Sequence, residues 1–143
     1  MAACQAGPAE IICRKAEDLA GGIRTFSAVP GTVLEASVPG LNSILLSPAA
    51  ADRVSVQRAE LGTSPMGLAK VSLAVSNCTS SPMLLRVRTQ FMDGSGRRTE
   101  PISVWREMTV GAGSVAEVDE LATQPESRGF RVEIDRLPIA ARP

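Results

Sequence analysis

The most constraining stretch of the sequence is Met83 to Met92, MLLRVRTQFM, because it alternates with a period of two. Met83, Leu85, Val87, Thr89 and Phe91 share one face, and Leu84, Arg86, Arg88, Gln90 and Met92 share the other. Successive side chains of a strand point to opposite sides, so this stretch predicts a strand with one buried face, and a helix would scatter the same residues around its circumference. A turn-rich segment, Asn77 to Pro82, precedes it, and Asp93-Gly94-Ser95-Gly96 follows as a loop whose glycines can take positive φ.

Other segments have the same form. Arg53 to Leu61 begins with alternation at Val54 and Val56, and Ala69 to Ser76 sets Val71, Leu73 and Val75 against Lys70, Ser72 and Ala74. Pro101 to Val110 carries Ile102, Val104 and Met108 with Trp105 on the opposite face. Gly113 to Leu121 carries Val115 and Val118, and Gly129 to Leu137 sets Phe130, Val132 and Ile134 against Arg131, Glu133 and Asp135. Six or seven short strands, each bounded by Gly, Pro, Ser or Asp, predict an all-β fold, an immunoglobulin-like antiparallel β-sandwich with at most one short helix. The 143 residues suffice for one core without a metal or a disulfide to hold it.

We divide the chain into an N-terminal arm, residues 1–50, and the sandwich, residues 51–143. Within the arm, AEIICRKAEDLA (residues 9–20) has good helix formers and ends at Gly21-Gly22, which predicts one short helix. From Gly21 to Pro48 the chain is rich in Gly, Ser and Pro, and reads as an extended arm with one or two short strands. Ordering such a segment costs conformational entropy. It could order against a neighbouring subunit as an added strand.

Composition excludes several function classes. Lys plus Arg and Asp plus Glu number 15 each, so no net field draws in nucleic acid. Histidine is absent, which removes the commonest general base and metal ligand together with the Ser-His-Asp and Cys-His arrangements. No phosphate-binding GxxxxGK[ST] or GxGxxG pattern occurs. The expectation is a non-enzymatic chain with no catalytic residue, no cofactor and no metal. No apolar run approaches the ~20 residues that span a bilayer as a helix. Three cysteines, Cys4, Cys13 and Cys78, lack zinc-ligand spacing; Cys13 and Cys78 could bridge in an oxidising compartment, or each could be a small buried hydrophobe. Met1-Ala2-Ala3-Cys4 has the form of the end of a bacterial lipobox, although no charged and apolar signal regions stand before it in this sequence, so Cys4 is a candidate for lipidation.

The candidate partner-binding residues are Trp105, Arg86, Arg88, Leu84 and Met92. Trp105 has two readings, a ring that fills the core, which leads, and an anchor for a partner. Arg86 and Arg88 could present guanidinium forks to a partner's carboxylates, or lie on a solvated sheet face. Glu133 and Asp135 point the same way, but sugar-stacking aromatics are scarce, so charge pairing across a sheet explains them better than glycoside hydrolysis. Asn77-Cys78-Thr79 matches a glycosylation sequon, which we read as coincidence.

The run Val75-Ser76-Asn77, a polar turn, Pro82, Leu85-x-Val87-x-x-x-Phe91-x-Asp93-x-x-Gly96 and then a Trp105 strand resembles the YcfL-like family of small bacterial lipoproteins, over about residues 50–137. In that family an asparagine ends one strand, a proline opens the next, and an aromatic residue and an aspartate lead into a glycine hairpin. Here Arg88, Thr89 and Gln90 stand where the family usually has Tyr and Trp. The resemblance implies a periplasmic, outer-membrane-anchored sandwich with no known chemistry, lipidated at Cys4. The resulting expectation is a structural or protein-binding subunit of a larger envelope assembly that could also self-associate, with protein partners and no nucleic acid. The alternative is a shell or tail decoration protein of a phage-like particle, in the virion or the cytoplasm.

Overall fold

The computed structural model describes residues 42–138 in full, and residues 18–19 and 23–27 as backbone strands. Among the described residues, nine strands and one helical turn run in the order β1 (Asp18–Leu19), β2 (Ile23–Ser27), β3 (Asn42–Leu46), α1 (Pro48–Ala51), β4 (Val54–Thr63), β5 (Ala69–Asn77), β6 (Met83–Met92), β7 (Arg106–Val110), β8 (Val115–Leu121) and β9 (Gly129–Leu137). They form two sheets, ordered β1-β2-β3-β9-β6-β7 and β4-β5-β8, so the chain is an all-β sandwich. The three-stranded sheet is antiparallel throughout, whereas in the larger sheet β3 runs parallel to both β2 and β9.

The core lies between the sheets and is built from the alternation read in the sequence. Met83, Leu85, Val87 and Phe91 of β6 and Phe130, Val132 and Ile134 of β9 face Val71, Leu73 and Val75 of β5 and Val118 of β8, and all are buried. In β4 the alternation of Val54 and Val56 would place Arg58 and Glu60 inside. A bulge between Val56 and Arg58 shifts the register by one residue, so Ala59 is buried and Leu61 packs against the core instead.

Turn chemistry fixes the connections. Ser47 caps α1, its Oγ accepting from the Ala50 amide at 3.2 Å with Pro48 next in line, and this single turn carries the chain from one sheet to the other. After β6, the Asp93 carboxylate accepts from the Ser95 amide (2.9 Å), the Ser95 hydroxyl (2.7 Å) and the Arg97 amide (3.0 Å), and Gly96 supplies the positive φ of 89°. The Ser95 hydroxyl first, then these amides, hold the Asp93 carboxyl below the ordinary aspartate range.

Three expectations are corrected. Residues 42–46, assigned to the arm, form β3, which is hydrogen-bonded on both sides within the large sheet, so the sandwich begins by Asn42. Of the arm's remainder, β2 pairs with the chain's own β3. The helix expected over residues 9–20 is replaced at Asp18–Leu19 by a strand paired with β2, and the rest of it lies outside the described residues. The strand expected from Pro101 starts only at Arg106, and Val104 is 86% exposed. Cys4 and Cys13 also lie outside the described residues, whereas Cys78 takes part in a disulfide. No helix among the described residues is long and apolar enough to cross a membrane.

Candidate functional site

The outward face of the six-stranded sheet carries a ladder of charges set by strand register. Because β6 and β9 are antiparallel neighbours, Arg86 lies opposite Asp135 and Arg88 opposite Glu133. Nε and Nη2 of Arg86 both donate to Asp135 Oδ2, at 3.1 and 3.0 Å, and the same two atoms of Arg88 grip Glu133 Oε1 at 3.1 and 3.0 Å. The Glu133 side chain is only 1% exposed. A carboxylate so far from water is tolerated because it is paired, and deleting one member of such a pair is strongly destabilising.

Trp105 caps this ladder. Its ring centroid lies 4.2 Å from the Arg86 guanidinium carbon and 4.3 Å from that of Arg88, so one indole serves two cations. The ring is delivered by a connector that follows β6 without joining it as a strand. The Thr99 amide donates to Phe91 O (3.2 Å), the Ser103 amide to Thr89 O (2.9 Å), and Ser103 Oγ accepts from the Thr89 amide (2.9 Å). Trp105 is therefore half-buried on the outer face, and the leading reading of it as a core ring is corrected. Tryptophan there stiffens two long side chains that would otherwise sample many rotamers.

Of the residues proposed for partner binding, Trp105, Arg86 and Arg88 come together. Leu84 and Met92 stand at opposite ends of the same strand face, Leu84 half-buried and Met92 buried beside the hairpin. The two guanidinium groups bond Asp135 and Glu133 within the chain, as the cross-sheet pairing of the two carboxylates anticipates.

Three polar elements were missed or underused in the sequence. Asn77 is 0% exposed; its Nδ2 donates to Ser81 O (2.8 Å) and Val110 O (3.0 Å), and its Oδ1 accepts from the Thr79 amide (2.8 Å) and hydroxyl (2.7 Å). Such an amide is a staple between the β5–β6 turn and β7, and is closed to a glycan. Glu100 accepts from the Thr123 amide (3.1 and 3.0 Å) and hydroxyl (3.1 Å), the Gln124 amide (3.2 Å) and the Ser127 hydroxyl (3.1 Å), which ties the connector to the β8–β9 loop. Arg106 Nη2 meets Glu120 Oε2 at 3.0 Å, linking edge strand β7 to edge strand β8 across the opening between the sheets. Burial pushes the Glu120 carboxyl above the ordinary glutamate range, and Arg106 offsets part of that. Asn77 had a local signal, since turn residues follow it, whereas the other two pair residues far apart in sequence. No group of three or more metal-ligating side chains occurs among the described residues.

A two-sheet β-fold with an aromatic–guanidinium face on its larger sheet is the architecture of a β-sandwich domain. The chain belongs to the family described as Protein of unknown function (DUF1425), whose model matches residues 42–136. Two solved structures share the fold. The crystal structure of Campylobacter jejuni cj0090 aligns with a TM-score of 0.58 at 14% identity, covering 67% of this chain and 99% of that one. A DUF1425 family member from Shewanella sp. pv-4 aligns with a TM-score of 0.53 at 14% identity, covering 62% and 81%. No curated protein matches the chain.

Proposed function

We propose that this protein is a non-enzymatic, protein-binding β-sandwich of the bacterial cell envelope, of the YcfL-like lipoprotein kind within its family, and that it serves as an accessory or subunit of a larger assembly. The observation that carries this reading is the Trp105 shelf. An aromatic ring held by two arginines, each fixed by a carboxylate, loses little rotamer freedom when a partner covers it. Val104 beside it, 86% exposed, adds apolar contact area. The Cys78 disulfide supports an oxidising compartment.

Mass spectrometry of the protein from its native source tests the envelope part of this reading. A diacyl-modified Cys4 at a new N-terminus is the expected result. An intact, unmodified Met1 or Ala2 would remove the lipoprotein and leave the particle-decoration alternative. The contact face is tested by placing a photo-crosslinking residue at Glu107, which the register sets opposite Arg86 on the Trp105 side. Crosslinks to a defined partner are expected, and Trp105→Ala should abolish them.

A further inference from the structure

β8 is the outer strand of the three-stranded sheet, paired with β5 on one side, and no hydrogen bond joins its other edge to a described residue. An unpaired edge is a template for an added strand. Its outward side chains, Val115, Glu117, Asp119 and Leu121, are all exposed. A second copy pairing symmetrically about Val118 would set Glu117 against the other copy's Asp119, and like charges directly opposite repel. Glu117, together with Asp119, which meets Lys70 of β5 only at 4.0 Å, favours a basic strand.

The inward side of this edge adds a second, independent feature. A cleft of about 260 Å³ opens where β8 ends against β6 and the connector, lined by Thr89, Phe91, Pro101, Ser103, Glu120 and Leu121. Thr89 is 1% exposed, yet its Oγ1 has no hydrogen-bond partner. A buried hydroxyl without a partner is destabilising, so a donor that reaches it from the cleft is its natural complement. The cleft is smaller than the roughly 300 Å³ at which small-molecule pockets begin. It suits one side chain, with Phe91 and Pro101 for an aliphatic stem and Glu120, which Arg106 meets through one 3.0 Å contact, for a second cationic head.

We propose that the open edge of β8 pairs with an extended basic segment of a partner protein, one lysine of which enters this cleft and sets its ammonium group between Glu120 and Thr89 Oγ1. Neighbouring basic residues on the other face of that segment meet Glu117 and Asp119. The proposal rests on the reading of the chain as a protein-binding module, and names the chemistry of its partner.

The probe is a blocked nine-residue peptide of threonine and valine with three central lysines, so that both faces of the added strand carry positive charge; a peptide with three glutamates is its control. With the isotope-labelled full chain, the lysine peptide should slow amide exchange along β8 and bind at least tenfold more tightly than the glutamate peptide. Replacing Glu117 and Asp119 together by lysine should weaken it at least tenfold. Thr89→Val keeps the shape of the side chain, so it should raise the melting temperature by removing the orphaned hydroxyl while weakening the lysine peptide several-fold. Equal binding of the two peptides, no protection of β8, or unchanged affinity in both variants overturns the proposal. So does concentration-dependent protection of β8 without peptide, which would put a second copy there. In the native source, crosslinks from position 107 but none from position 117 would overturn the edge site and leave the broader reading standing, whereas none from either position would overturn both.

Discussion

Two arginine–carboxylate systems stand on opposite faces of the six-stranded sheet and are built differently. On the outer face, Arg86 and Arg88 each offer two N–H groups to one carboxylate oxygen, and Trp105 lies over both. On the inner face at the open edge, Arg106 meets Glu120 through one 3.0 Å contact, with the arginine side chain 55% exposed. The first system is partly buried, with Glu133 only 1% exposed, and is multiply bonded and positioned by strand register. In the second the arginine is largely in solvent while Glu120 is 11% exposed, and the pair spans two edge strands that no backbone hydrogen bond joins. Charge on the outer face is fixed by register and by two bonds to each carboxylate, while the edge pair rests on one contact whose arginine is largely in solvent.

The largest expected effect separates the two. Arg88→Ala leaves the buried Glu133 carboxylate without its guanidinium, and should cost about 3 kcal/mol in urea unfolding. Trp105→Ala should cost about 2 kcal/mol, from two cation–π contacts and the lost apolar cover. Arg106→Ala should cost about 1 kcal/mol, less than Arg88→Ala because Arg106 is 55% exposed and makes one contact, although Glu120 is left without its cation. If Arg106→Ala proved as damaging as Arg88→Ala, the contrast would fail.

The smallest effect is a matter of pH. Burial raises the folded-state pKa of Glu120 above the ordinary value of 4.5, so the folded chain holds that proton longer than the unfolded chain does. The stability this contributes is fully present below about the unfolded value and is lost as pH rises through the folded one. Glu120→Gln removes the titration. Relative to the variant, wild type should lose melting temperature on going from acid to neutral pH, by a modest amount because Arg106 offsets part of the desolvation. Parallel curves would show that Glu120 is hydrated like a surface carboxylate.

The sandwich was legible in the sequence wherever a strand has one buried and one polar face, as in β5, β6 and β9. β3 falls in the arm read as carrying one or two short strands, but its place inside the sheet was hidden because Ile44, Leu45 and Leu46 are all buried, so its apolar run shows no alternation. The opposite error came at Ile102 and Val104, whose spacing imitates a strand. The connector there is held through Ser103 to Thr89 and does not enter the sheet until Arg106. The Arg86 and Arg88 face was readable from period two, and its carboxylate partners from the same period in β9. That Trp105 folds over this face depends on where the connector leaves β6, and the Arg106–Glu120 contact on how two sheets stack; neither leaves a local mark in the sequence.

Double-mutant cycles by urea unfolding test the contrast most directly, one through Arg88→Ala and Trp105→Ala and the other through Arg106→Ala and Glu120→Gln. Coupling of about 1 kcal/mol or more is expected in the first pair and below about 0.5 kcal/mol in the second. Equal coupling in the two pairs, or the stronger coupling at the edge, would contradict a fixed outer ladder and an edge left open for a partner.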